Sequence, residues 1–215
     1  MNIFAQTEIA REYDTYYQSE QGRLVDELEK QAILNLLKPV SPGKMLEIGC
    51  GTGHWTEFFS ERGFHITATD VAESMLTFAR KKAISQVQWM TADVRQLPFA
   101  DHTFDQVAVI TALEFCGDIN HAFAEMKRVL KPGGWLIAGC LNSDSTLGKI
   151  KEQDPVFRHG DFMSREQLRS HLLKIGHPEI TECVHLSADF QILDQTEEKQ
   201  TAPGVFMAAV VKKTI

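Results

Sequence analysis

Between Lys44 and Leu141, short apolar runs alternate with segments of helical periodicity, and this alternation restricts the fold more than any other feature of the chain. KMLEIG (44–49), FHITATD (64–70), VQWMTAD (87–93), TFDQVAVITA (103–112) and WLIAGCL (135–141) each have the length and composition of a buried strand. HWTEFFSERG (54–63), AESMLTFARKKA (72–83) and NHAFAEMKRVL (120–130) lie between them and read as helices. Their inward residues are Met75, Leu76 and Ala79 in one, and Ala122, Met126, Val129 and Leu130 in another. PGG at 132–134 reads as the turn into the fifth strand. Apolar strands separated by helices predict a parallel sheet covered on both faces. Right-handed crossovers make such a sheet doubly wound, with ligands beyond the carboxyl ends of its strands.

The flanks have another rhythm. Residues 21–39 read as a helix with Val25, Leu28, Ala32 and Leu36 in one stripe and Pro39 as its stop. Residues 164–178 read as a helix with a Ser164–Gln167 capping box and Leu168, Leu172 and Ile175 inside. EITECVHLS (179–187) and GVFMAAVVKK (204–213) follow with no long helix between them, which predicts an antiparallel pair at the sheet edge. Residues 146–163 lack periodicity, and loops of that length are usually lids or binding segments. The expected fold is α/β: a doubly wound, mostly parallel, Rossmann-like sheet of seven strands with an antiparallel edge hairpin. One domain is expected over 1–215, divided into an N-terminal helical cap (1–39), a core (40–141) and a lid segment, helix and C-terminal strands (142–215).

The glycine turn bears on function. In LEIGCGTGHW (46–55), Gly49, Gly51 and Gly53 alternate with Cys50 and Thr52 at the end of the first strand. A strand, a glycine turn and a helix let backbone approach a ligand closely. The dinucleotide fingerprint GxGxxG needs a third glycine where His54 stands, which disfavours a nicotinamide-dependent oxidoreductase. There is no GxxxxGK[ST] phosphate loop, and Glu47 ahead of the turn suits a cation better than a diphosphate.

Four segments in order resemble class I S-adenosylmethionine-dependent methyltransferases, in the small-molecule branch that includes quinone-biosynthesis methylases. They are LEIGCGTG, Asp70 at the end of strand two, TADVRQLPF (91–99) and RVLKPGGWLIAG (128–139). REYDTYYQSEQGRLVDELE and DPVFRHGDFMSREQL resemble that branch's cap segments. The resemblance implies S-adenosyl-L-methionine as cofactor and S-adenosyl-L-homocysteine as product. It implies that Glu47 attracts the amino end and that Gly49, Gly51 and Gly53 carry the amino-acid tail. Asp70 would accept both ribose hydroxyls. Asp93 and the Val94 amide would hold the adenine, with Val71 and Met75 on its ring faces. Thr111, Ala112 and Leu113 would line the methyl path.

Plainer roles compete. Asp70 with Glu73 three residues on fits a helix capping box, Asp93 fits a turn cap, and Met75 fits the core. Tyr13, Tyr16 and Tyr17, with Phe157, His159 and Phe162, are candidates to cover an acceptor pocket; the tyrosines equally fit as staples for the first helix. His159 is the candidate general base, and Glu114 a candidate to orient an amine or hydroxyl.

Composition narrows the classes. Lys+Arg 22 against Asp+Glu 29 leaves a formal charge of −7 with no long basic block, so no nucleic-acid partner is expected. The base-methylase box [DN]PP[YF] is missing where TALEFC (111–116) stands. Cys50, Cys116, Cys140 and Cys183 form no CxxC and read as buried thiols of a reducing compartment. Asn142 and Asp144 read as turn formers, and no metal is expected. No apolar run approaches ~18 residues and no signal peptide is visible, so a cytoplasmic protein without a membrane partner is expected. The expected function is methyl transfer to a small-molecule acceptor, with a non-catalytic S-adenosylmethionine-binding protein as the alternative.

Overall fold

The computed structural model describes residues 3–193 and 202–214. Seven strands form one sheet in the order β3-β2-β1-β4-β5-β7-β6. They are β1 (Lys44–Ile48), β2 (His65–Asp70), β3 (Val87–Thr91), β4 (Phe104–Ile110), β5 (Leu130–Leu141), β6 (Pro178–Cys183) and β7 (Phe206–Lys212). The first five pair in parallel, and β7 runs antiparallel between β5 and β6. The chain reverses between β1 and β4, so the carboxyl ends of those strands flank the switch point.

Period-two alternation builds a core on each face. Met45, Ala108, Ile137, Phe206, Ala208 and Val210 pack on one side with Ile33, Trp55 and Phe59. Leu46, Val107, Val109, Leu136, Ala138, Met207 and Val211 pack on the other with Phe123, Met126, Leu168 and Leu172. Both faces of every central strand are covered, which is why these segments read as continuous apolar runs.

The helices are α1 (Thr7–Glu12), α2 (Glu20–Leu36), α3 (His54–Ser60), α4 (Glu73–Ala79), α5 (Ile119–Val129), α6 (Thr146–Ile150) and α7 (Arg165–Leu173). The capping box of α7 forms, with Ser164 and Gln167 bonding reciprocally. Two details depart from expectation. Residues 130–134 are strand, because Leu130 already pairs with Phe104 before a register shift to Gln106 and Trp135. The aperiodic link holds α6 and single 3-10 turns at Lys151–Gln153 and Phe157–His159, elements too short to show a period. Among the described residues no helix is long and apolar enough to cross a membrane.

Candidate active site

A cavity of about 330 Å³ opens at the carboxyl ends of β1, β2 and β4. Its floor is the turn after β1. Gly49, Gly51 and Gly53 have φ of +66°, +54° and +84°. A Cβ on Gly49 would stand 2.3 Å from the Cβ of Ala112, so only glycine lets this turn pack on the loop after β4. A Cβ on Gly51 would meet no protein atom within 4 Å, because that position faces the open cavity.

Asp70 ends β2 inside this space. Its Oδ2 accepts the Gly51 N–H at 2.8 Å and its Oδ1 accepts the Ala72 N–H at 2.8 Å. Burial raises its pKa, while these amides and that of Val71 hold it down. Each oxygen keeps a lone pair for a further donor. The capping-box reading of Asp70 is not what forms: the N-cap of α4 is Ala72, and it makes no side-chain cap bond. Val71, 55 % exposed, and Met75 complete this side.

The opposite wall is Asp93, Val94, Arg95, Thr111, Ala112, Phe115, Cys116 and Gly117. Asp93 Oδ1 accepts the Arg95 N–H at 2.9 Å and pairs with the guanidinium, which holds its carboxyl below the usual range. Thr111 sits at φ +46°, an uncommon conformation for a β-branched residue, and donates its amide to Gly139 O at 2.7 Å. Phe4 and Tyr13 close the mouth from the N-terminal segment, with Phe4 edge-on to Phe115 at 4.9 Å. That segment is pinned by Thr52 Oγ1 donating to Asp14 at 2.5 Å, by Lys82 on Asp14 at 2.8 Å and by Ser74 Oγ donating to Phe4 O at 2.9 Å.

Known proteins resemble this chain in sequence and fold. A family model described as "Methyltransferase domain" matches residues 46–138. A SAM-dependent methyltransferase of Thermotoga maritima, described as a possible histamine N-methyltransferase, superposes with a TM-score of 0.75 at 25% identity, covering 98% of this chain and 99% of that one. Residues 46–138 thus match a methyltransferase domain, and the chain has the fold of the class I S-adenosylmethionine-dependent methyltransferases. An uncharacterised protein of Methanocaldococcus jannaschii is 29% identical over 99% of this chain and 100% of its own length. Malonyl-[acyl-carrier protein] O-methyltransferase of Erwinia pyrifoliae is 35% identical over 59% of this chain, which spans 47% of that protein. A Haloferax volcanii methyltransferase, solved in complex with the activator Trm112, shares the fold at TM-score 0.71 and 18% identity.

The structure gathers Gly49, Gly51, Asp70, Val71, Met75, Asp93, Val94, Thr111 and Tyr13 around one cavity. Other expected residues lie elsewhere. Gly53 faces the Trp89 ring. Glu47 is buried behind the turn; burial and the Asp70 charge push its carboxyl up to about 8, and its Oε2 has no hydrogen-bond partner. Leu113 belongs to the core under α5. Phe157 and Phe162 meet edge to face at 5.7 Å and pack in the core, with Phe162 reaching Phe115 only across Gly160. His159 is exposed and outside the cavity wall, because its 3-10 turn directs Phe157 inward and the imidazole to Arg158. Tyr17 stacks on His54 at 3.8 Å, and His54 bonds Asp26 on α2 at 2.7 Å. Glu114 is buried, with Oε1 accepting the Leu141 N–H at 2.6 Å. Cys50, Cys140 and Cys183 are buried as expected, whereas Cys116 is half-buried and lines the cavity.

Sequence reading missed Phe4, Arg95 and Phe115 in the wall, and Asp14 and Asp26 as anchors of the cap. It also missed Glu29, buried on α2. Only Glu29 left a signal: an acid beside the apolar stripe of Val25, Leu28, Ala32 and Leu36, at helical spacing.

Proposed function

We propose that this methyltransferase moves a methyl group from S-adenosylmethionine to a small-molecule acceptor, with the cavity at Gly51 and Asp70 as the cofactor site. The observation that carries the reading is the Asp70 carboxylate, held by two backbone amides and still able to accept from a diol. The open space over Gly51 suits a ligand tail laid against main chain. Val71 and Met75 offer apolar surface for an aromatic ring, and Asp93 with the Val94 amide supplies an acceptor and a donor at its edge. Arg95 holds the Asp93 carboxylate ionised for that task.

S-adenosylmethionine brings a methyl group already activated by its sulfonium charge. The chain's own work is then to align, exclude water and dispose of a proton. Alignment alone can account for ~7–11 kcal/mol of barrier. Phe4, Tyr13 and Phe115 shield the cavity from solvent, and Thr111 and Ala112 lie between the glycine turn and this aromatic wall. His159 takes part only if residues 154–162 shift inward when acceptor binds. The malonyl-[acyl-carrier protein] methylases among the relatives support a small acyl group, and the Thermotoga protein supports an amine.

Calorimetry with S-adenosylmethionine, S-adenosylhomocysteine and NAD tests the reading. The first two should bind and NAD should not. Asp70→Asn leaves one anionic acceptor fewer and should weaken cofactor binding by roughly 10- to 100-fold in a folded protein. Binding of NAD alone, or unchanged affinity in a folded Asp70→Asn variant, refutes it.

A further inference from the structure

The side chains that flank Gly53 at the end of the glycine turn face away from the cavity. Gly49 and Gly51 line it, whereas Thr52 and His54 reach the N-terminal segment. Thr52 is 1% exposed, and its Oγ1 donates to Asp14 at 2.5 Å. His54 is the first residue of α3, directly after Gly53. Its imidazole lies flat on the Tyr17 ring, with centroids 3.8 Å apart and planes 9° from parallel. Its Nε2 is 2.7 Å from Asp26 Oδ1 on α2. Burial opposes the Asp26 charge, but the bonds from His54 and Lys30 hold its carboxyl below the usual range. Asp26 therefore accepts and His54 Nε2 donates. Lys30 occupies Asp26 Oδ2 at 2.7 Å, so the carboxylate cannot turn away without breaking an ion pair.

A stacked face and a bonded edge together fix the plane and the rotation of the imidazole. Tyr17 belongs to the same 3-10 helix, Tyr13–Gln18, as Tyr13. Tyr13 lines the cavity, meets the Tyr17 ring at 6.0 Å and holds the Phe4 ring edge-on at 6.4 Å. Contacts thus run from the turn that floors the cavity, through His54 and Tyr17, to a side chain that covers it. His54 does not line the cavity, so any effect on a ligand passes through Tyr17 and the turn.

We propose that His54 is a positioning residue for the cofactor site: it clamps Tyr13 over the cavity through Tyr17 and Asp26, and release of this clamp sets how fast S-adenosylhomocysteine leaves. The inference rests on the methyl-transfer reading above and assigns a control point to that same site. Ligand against the Gly51 main chain and cap over Tyr17 share one turn, so binding and closure are linked. Whatever closure adds to ligand retention, the ligand returns to closure. Moving Tyr13 off the cavity means unstacking Tyr17 or pulling His54 from Asp26. The second of these breaks a bond whose side chains are only 16% and 17% exposed, where water competes weakly. Losing the clamp speeds departure more than arrival, because ligand enters the open form in either case.

Stopped flow with S-adenosylhomocysteine on the full chain, paired with hydrogen exchange of residues 3–18, tests this. His54→Ala removes both stack and bond. It should speed dissociation by about 10-fold or more, leave association within about twofold of wild type, and raise exchange in residues 3–18. His54→Gln keeps a donor for Asp26 and His54→Phe keeps the stack, so each should restore part of the slow dissociation. His54→Leu keeps bulk alone and should restore none, which separates clamping from mere packing. The effects of His54→Ala and Tyr17→Leu on dissociation should be less than additive, since both break one stack. The inference is overturned if folded His54→Ala releases the ligand at the wild-type rate, if His54→Leu is as slow as wild type, or if the two effects simply add. Wild type that binds no S-adenosylhomocysteine would overturn the parent reading and this inference together, whereas wild-type binding with an unchanged His54→Ala rate removes this inference alone.

Discussion

A methyl group on Gly51 would point into open cavity, whereas one on Gly49 would collide with Ala112 at 2.3 Å. The two substitutions should therefore separate binding from folding. Gly51→Ala carries only the left-handed penalty of ~1–2 kcal/mol and should fold, with cofactor affinity reduced about tenfold where its Cβ enters the site. Gly49→Ala adds overpacking of ~1–3 kcal/mol to the same penalty and should lower the denaturation midpoint clearly more. Equal midpoints in the two variants would refute that division of roles. The buried acids make a pH prediction. Glu29, Glu47 and Glu114 bind protons more tightly in the fold than in the unfolded chain, since burial raises them from 4.5 to about 8, 8 and 7. Stability should thus fall as pH rises from 4.5 through about 8 and level off above. Glu29→Gln should make that decline shallower by ~2–4 kcal/mol in urea titrations across the window. An unchanged slope would mean that Glu29 is hydrated in solution.

At the scale of elements, residues 3–18, ahead of α2, are tied to the glycine turn mainly by polar and aromatic side-chain contacts. Asp14 joins Thr52 and Lys82, Tyr17 stacks on His54, and His54 bonds Asp26. Among the described residues only Ala10, Ala72 and Met75 are buried in the cluster beneath α1, with Phe4, Ile9 and Tyr13 packed against them. A segment held this way opens at low free-energy cost, as a cover over a ligand must. Asp14→Ala should raise hydrogen exchange across residues 3–18 and speed S-adenosylhomocysteine dissociation in stopped flow. The midpoint of global unfolding should shift by no more than ~1 kcal/mol. Unchanged exchange would deny Asp14 its anchoring role. Residues 154–162 behave differently: Asp154 accepts the amides of Val156 and Phe157, and Phe162 is buried. Their exchange should respond less to cofactor than that of residues 3–18.

For the whole molecule, stability resides in the sheet and the cores on its two faces. Leu136→Ala opens a cavity under α5 and α7 and should cost ~2–5 kcal/mol. It lies on β5, away from the glycine turn, so cofactor affinity in the surviving folded protein should stay near wild type. The formal charge of −7 opposes phosphate backbones at every scale. No salt-sensitive complex with RNA or DNA is expected in filter binding.

The sequence alone determined the alternation of strands and helices, the antiparallel edge pair, the glycine turn and Asp70, because each is written in adjacent residues. Strand length, helix period and the sterics of a tight turn are local, and local physics survives whatever packs around it. The walls of the cavity required the tertiary structure. Phe4, Arg95 and Phe115 come from three separated segments, and no spacing in the chain announces that they meet. His159 and Phe157 show the same limit from the other side, since residues two apart in an aperiodic link turn opposite ways once a 3-10 turn forms. Glu29 and Glu114 are far apart in sequence and chemically ordinary there. Burial is what raises both carboxyls above the ordinary range, and burial is a property of the folded whole.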